Sequence, residues 1–157
     1  IVKNPGTRLD RYRLRWNNVK YEPGELKVVA YNYDGSVMGE QTVRTAGEPA
    51  RIVLEADRSS IAAKGEDLAF VKVSVVDKDG TPCPTATNKM KFEVTGAAKL
   101  RAACNGDATS LVAFNSTEMP LFSGELVVVV EGTKQGKATL SVSADGLPKE
   151  TLSINIK

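Results

Sequence analysis

Apolar and polar residues alternate with a period of two along most of this chain, and no segment sustains the 3.6-residue period of an amphipathic helix over three turns. Near the C-terminus, Leu140, Val142 and Ala144 interleave with Thr139, Ser141 and Ser143. After Gly146-Leu147-Pro148, Leu152, Ile154 and Ile156 interleave with Thr151, Ser153 and Asn155, which predicts a closing hairpin with one wet face. Met90, Phe92 and Val94 alternate with Lys89, Lys91 and Glu93, and Val71, Val73 and Val75 with Phe70, Lys72 and Ser74. The run Leu126 to Val130 fits either a strand covered on both faces or a central strand. Turn chemistry falls between these segments at Asp79-Gly80, Thr95-Gly96, Asn105-Gly106, Ser123-Gly124 and Gly132. Short strands with turn signals every 8 to 12 residues or so predict an all-β chain folded as an immunoglobulin-like β-sandwich.

The N-terminal part follows the same pattern. Tyr12, Leu14 and Trp16 alternate with Arg11, Arg13 and Arg15, which predicts one strand. Tyr21-Glu22-Pro23-Gly24 then turns into a second, Leu26 to Tyr33, and Asp34-Gly35 into a third, Val37 to Thr45. Ala46-Gly47-Glu48-Pro49 is the joint, because Pro49 interrupts pairing. Residues 1–47 are therefore expected to be part of a second immunoglobulin-like sandwich, truncated, and residues 48–157 a complete one. Three strands do not close a sandwich.

Composition narrows the chemistry. The 157 residues carry 21 basic and 19 acidic groups, without the clustered excess of cations that nucleic-acid binding requires, so no nucleic-acid partner is expected. The longest apolar run is far short of the roughly 20 residues of a membrane-spanning helix, so no membrane span is expected. There is no histidine, which removes His-based triads, His general bases and most zinc or iron sites. Cys83 and Cys104 match no metal or redox spacing and read either as free thiols or as one bridge. Residues Ile1 to Gly6 lack the basic region, apolar stretch and small-residue cleavage site of a signal peptide, and the chain reads as an excised or processed piece of a longer protein.

The strings Arg13-Leu14-Arg15-Trp16-Asn17-Asn18-Val19 and Tyr21-Glu22-Pro23-Gly24-Glu25-Leu26-Lys27-Val28-Val29-Ala30-Tyr31 resemble the late part of an accessory domain in glycoside hydrolase family two. The resemblance continues through Val43 to Ala50, Leu54 to Arg58, Asp67 to Val71, Val76 to Gly80 and Asn105-Gly106-Asp107. It implies C-terminal accessory domains of a β-galactosidase of Bacteroides-like bacteria, periplasmic or extracellular, whose catalytic glutamate pair lies in an upstream (β/α)₈ barrel. No catalytic residue carries over onto this chain. The expected partners are the catalytic and other domains of the same polypeptide, with a glycan as a further one; no cofactor and no metal are expected.

Several residues are candidate sites. Glycoside hydrolysis needs two carboxylates roughly 5 to 10 Å apart, but Glu66-Asp67 and Asp77 with Asp79 flank turns, where acids accept backbone hydrogen bonds. Asn105 and Asp107 belong to an oxygen-rich loop that reads as an Asx turn, with a contact to a neighbouring domain or sugar as the functional alternative. A sugar ring stacks its C–H face on an exposed aromatic ring, which makes Trp16, Tyr31 and Tyr33 the candidates; Trp16 reads first as core, alongside Tyr12 and Leu14. The row Arg11, Arg13, Arg15 reads as a solvated face. The function expected is a non-catalytic structural, interdomain module of a family two glycosidase. The alternatives are a carbohydrate-binding module using those aromatics and an invasin-type adhesin domain.

Overall fold

The structure, a computed structural model, describes residues 3, 6, 8, 12–64 and 67–157. Arg11 and Glu66 lie outside the described residues. The chain separates into two compact units, Ile1–Thr45 and Ala46–Lys157. Among the described residues no helix is long and apolar enough to cross a membrane.

In the first unit the described strands are β1 (Glu25–Tyr31) and β2 (Val37–Arg44), an antiparallel pair. The ion pairs Arg44–Glu25 at 2.8 Å and Lys27–Glu40 at 2.8 Å lie on the hairpin, both exposed and worth little each. At its open end Thr45 ties the chain back, donating its amide to the Gly24 carbonyl at 2.8 Å and accepting the Gly24 amide on Oγ1 at 3.0 Å. The strand expected over residues 11–16 is not formed: residues 13–17 have no regular structure. Alternation marks a segment that can pair, but a strand exists only through ladder bonds, and the sheet described here holds only β1 and β2. The second strand also ends earlier than expected, at Tyr31. Tyr33 sits in the turn instead, which is closed by the Asn32 amide on the Ser36 carbonyl and by the Ser36 amide on Asp34 Oδ1, at 2.8 and 2.9 Å.

The second unit is a two-sheet sandwich. Its strands are β3 (Arg51–Ala56), β4 (Ser60–Ile61), β5 (Leu68–Val76), β6 (Lys89–Gly96), β7 (Ala98–Cys104), β8 (Glu118–Pro120), β9 (Glu125–Gly132), β10 (Gly136–Ala144) and β11 (Leu147–Ile156). One sheet runs β3-β5-β9-β7 and the other β4-β11-β10-β6-β8, with β4 parallel to β11 and the remaining ladders antiparallel. The first strand of the sandwich thus pairs in one sheet and its short continuation in the other, the strand order of an immunoglobulin-like sandwich. Val71, Val73 and Val75 from β5, Leu126, Val128 and Val130 from β9, Met90 and Phe92 from β6, and Leu140, Val142 and Ile154 from β10 and β11 fill the space between the sheets, all buried. Each such side chain contributes about 1.5–3 kcal/mol by leaving water.

The two outer faces differ. On the five-stranded sheet the outward positions of β6, β10 and β11 are Lys91, Glu93 and Thr95, Thr139, Ser141 and Ser143, and Thr151, Ser153 and Asn155. On the four-stranded sheet the outward row Phe70↔Val129↔Ala102 is apolar across three strands, and the next row, Lys72↔Val127↔Cys104, carries a lysine. The run Leu126 to Val130 is a central strand, paired to β5 and β7.

Candidate functional site

Three places hold the residues that sequence reasoning singled out. The first is the start of the second unit. Asp77, at the end of β5, is 3% exposed and accepts three backbone amides: Gly47 on Oδ2 at 2.8 Å, and Asp79 and Thr81 on Oδ1 at 2.9 and 2.8 Å. The Gly47 amide, followed by burial working against it and by the other two donors, leaves the Asp77 carboxyl below the ordinary carboxylate value. On the other side of Gly47 its carbonyl accepts a weak bond from Cys83 Sγ at 3.6 Å. Burial, then the charges of Asp77 and Glu48, raise the Cys83 thiol, so its thiolate is disfavoured. Asp77 is thus a structural clamp, and Asp79 is a donor within the same turn rather than a catalytic partner. Cys83 and Cys104 are both free, the first buried and the second exposed.

The second place is the loop between β7 and β8. A cavity of about 220 Å³ opens here, lined by Cys104, Asn105, Asp107, Val112, Phe114 and Met119 among others. Asn105 Oδ1 accepts the Asp107 amide at 3.0 Å, and its Nδ2 donates to the Pro120 carbonyl at 3.0 Å. Asp107 Oδ1 accepts the Thr109 hydroxyl at 2.7 Å and the Thr109 amide at 2.9 Å, and these two bonds lower its carboxyl. Successive Asx turns therefore spend the loop's oxygens on its own backbone, the first of the two readings made from the sequence. Sequence reasoning missed the apolar content of this loop: Leu111 is 99% exposed and Phe114 is exposed beside the cavity. Its signal was the run Leu111-Val112-Ala113-Phe114, which breaks the alternation of its surroundings. Among the described residues no group of three His, Cys, Asp or Glu side chains converges as a metal site.

The third place is the aromatic set of the first unit. Trp16 is 36% exposed, Tyr31 is 62% exposed and Tyr33 is fully exposed on its turn. Trp16 and Tyr12 are not core: Tyr12 is exposed as well.

The model of glycoside hydrolase family 2 C-terminal domain 5 matches residues 52–153, the span of the sandwich. The chain belongs to that family. A second model, described only as a domain of unknown function, matches residues 2–39. A beta-galactosidase of Bacteroides ovatus is 39% identical over 94% of this chain, which spans 17% of that relative's length. A beta-glucuronidase of Formosa agariphila is 33% identical over 60% of the chain, and 10% of its own length is covered. Among solved structures, a glycosyl hydrolase family 2 member from Bacteroides cellulosilyticus superimposes with a TM-score of 0.82 at 30% identity, covering 88% of this chain and 18% of the other. The fold of a family two C-terminal sandwich is therefore that of this protein.

Proposed function

We propose that this chain is a non-catalytic structural module of a β-galactosidase-type family two glycosidase, joining and bracing the other domains of its polypeptide during carbohydrate degradation. The observation that carries the reading is the family match over residues 52–153. Its support is the use made of the acids: Asp77 clamps backbone amides, Lys72 pairs with Glu55 and Glu125, Glu131 with Lys99 and Arg101, and Asp107 holds Thr109. Such carboxylates are committed to strands and turns rather than aimed across a cleft. The test is an assay of aryl β-galactoside and β-glucuronide hydrolysis. The 157-residue chain is expected to show no turnover above buffer. Deleting residues 48–157 from the full-length polypeptide is expected to lower its melting midpoint. Turnover by the chain itself, or an unchanged polypeptide after deletion, overturns the reading.

The open rings of Tyr31 and Tyr33 favour a second reading, in which the first unit holds a glycan by stacking. Retention of the chain in a gel containing β-linked galactan is expected to fall on Tyr33→Ala while the melting midpoint stays within about 2 °C, since an exposed turn ring stabilises little. No retention of the unsubstituted chain removes this reading.

A further inference from the structure

Asn105-Gly106 is the only Asn-Gly step in the chain. It opens the loop between β7 and β8, with Asn105 half-buried and Gly106 exposed, and both residues line the cavity of about 220 Å³. Gly106 lies at φ 77° and nothing stands within 4 Å of where a Cβ would be, so its nitrogen is open to close approach. Among the described residues none accepts the Gly106 amide, which leaves that N–H free to give up its proton. The Asp107 amide donates to Asn105 Oδ1 at 3.0 Å, on the oxygen that gathers charge when the side-chain carbonyl is attacked. Only the leaving nitrogen is restrained: Nδ2 donates to the Pro120 carbonyl at 3.0 Å. Asn115, exposed in the same loop, is followed by Ser116, whose Cβ hinders the equivalent approach.

We propose that Asn105 is a self-modification site, converted to aspartate or isoaspartate by the Gly106 nitrogen, and that the change releases the loop from β8. The Gly106 nitrogen loses its proton and bonds to Asn105 Cγ. The carboxamide nitrogen takes up a proton and leaves as ammonia, which closes a five-membered imide. One water then opens the ring. Breaking the bond from nitrogen to Cγ gives aspartate; breaking the bond from nitrogen to the main-chain carbonyl carbon gives isoaspartate, with the chain running through the former side chain. Either way one carboxamide and one water become one carboxylate and one ammonium. The product cannot keep the tie to β8, because a carboxylate has no proton to donate to the Pro120 carbonyl and repels its oxygen. Isoaspartate also adds a methylene to the main chain, which the Asx turn does not accommodate. The loop carrying the exposed Leu111 and Phe114 is thereby freed at Asn105, in one direction only. The step needs water and the chain's own atoms, and the Nδ2–Pro120 bond sets its pace, since only local openings that break it let the nitrogen leave.

The test incubates the folded 157-residue chain in neutral buffer and follows the amide-to-acid mass gain by fragment-ion mass spectrometry, which assigns it to individual asparagines. Conversion at Asn105 is expected to run at least about tenfold faster than at Asn115, with aspartate and isoaspartate products separable by chromatography. Gly106→Ala is expected to slow it by about tenfold, because a Cβ obstructs the approach of the nitrogen to Cγ. Asn105→Asp installs the product carboxylate without altering the main chain. It is expected to raise chymotrypsin cleavage after Leu111 or Phe114 by about fivefold, while circular dichroism shows the sandwich still folded. An Asn105 that stays intact in the folded chain while a peptide of residues 102–110 converts overturns the proposal, since the Pro120 tie then blocks the reaction. Conversion at an unchanged rate in Gly106→Ala also overturns it, because water rather than the neighbouring nitrogen would then be the attacking group. Cleavage of Asn105→Asp no faster than that of the unsubstituted chain overturns the release of the loop.

Discussion

Asp77→Ala lowers the melting midpoint of the sandwich by about 10 °C or more at neutral pH, a shift read by circular dichroism. The size follows from what the side chain does. Its two oxygens take three backbone amides, from Gly47, Asp79 and Thr81, at a position nearly closed to water. Alanine leaves all three donors, in part-buried bonds, without their acceptor, and a donor left unmet away from water costs more than a hydrogen bond gains. Asp77→Asn separates the two halves of the clamp. Asparagine keeps an oxygen for Asp79 and Thr81 but presents an amide group to the Gly47 amide, donor against donor. Its loss is therefore smaller and concentrated at Gly47.

The same pair of proteins carries a pH signature. The folded carboxyl of Asp77 lies below its ordinary value of 3.8, first through the Gly47 amide. A depressed carboxyl stabilises the fold fully above the unfolded value and loses that contribution as pH falls through the folded one. The gap in urea midpoint between the unsubstituted protein and Asp77→Asn is thus widest near neutrality and narrows in acid below pH 3.8. Asp57 and Asp107, also depressed, are common to both proteins and cancel from the difference. A gap independent of pH would show that the Gly47 contact carries no charge-dependent stability.

Strands that run long beside two neighbours were legible in the chain, because each must bury one face completely. β5, β6, β10 and β11 show this as clean alternation, and β9 as an unbroken apolar run. β7 was not legible: a bulge between Leu100 and Ala102 shifts its parity, and of its inward residues Ala98 and Ala103 are small. β4 and β8, of 2 and 3 residues, are too short to show any period. At Tyr12 to Trp16 the opposite happened, since the pattern was present but the described residues supply no ladder for it. Turn oxygens at Asn105 and Asp107 were legible because their partners lie two residues away. The Gly47 contact of Asp77 was not, because 30 residues separate donor from acceptor and only folding brings them together.

Gly124→Ala is expected to cost about 3–5 kcal/mol in urea unfolding, the sum of a left-handed backbone and a steric overlap. Ser123 and Gly124 form the two-residue turn into β9 with φ of 53° and 79°, closed by the Glu125 amide on the Phe122 carbonyl at 3.1 Å. A Cβ on Gly124 would lie 2.2 Å from the Cys83 carbonyl oxygen and 3.0 Å from the carbon that bears it. Backbone, not a flexible side-chain end, is what must move. Gly106 supplies the control: its φ of 77° is nearly the same, yet nothing lies within 4 Å of where its Cβ would be. Gly106→Ala therefore pays only the backbone strain, about 1–2 kcal/mol. The excess at Gly124 measures the close approach of the β9 turn to the Cys83 segment. That segment also holds Gly47 through Cys83 Sγ, so Gly124→Ala is expected to open Cys83 to maleimide as well. Equal losses at the two glycines, with Cys83 still unreactive, would mean that the Cys83 to Ala86 loop yields freely and that the turn, the thiol and the clamp at Gly47 are not mechanically joined.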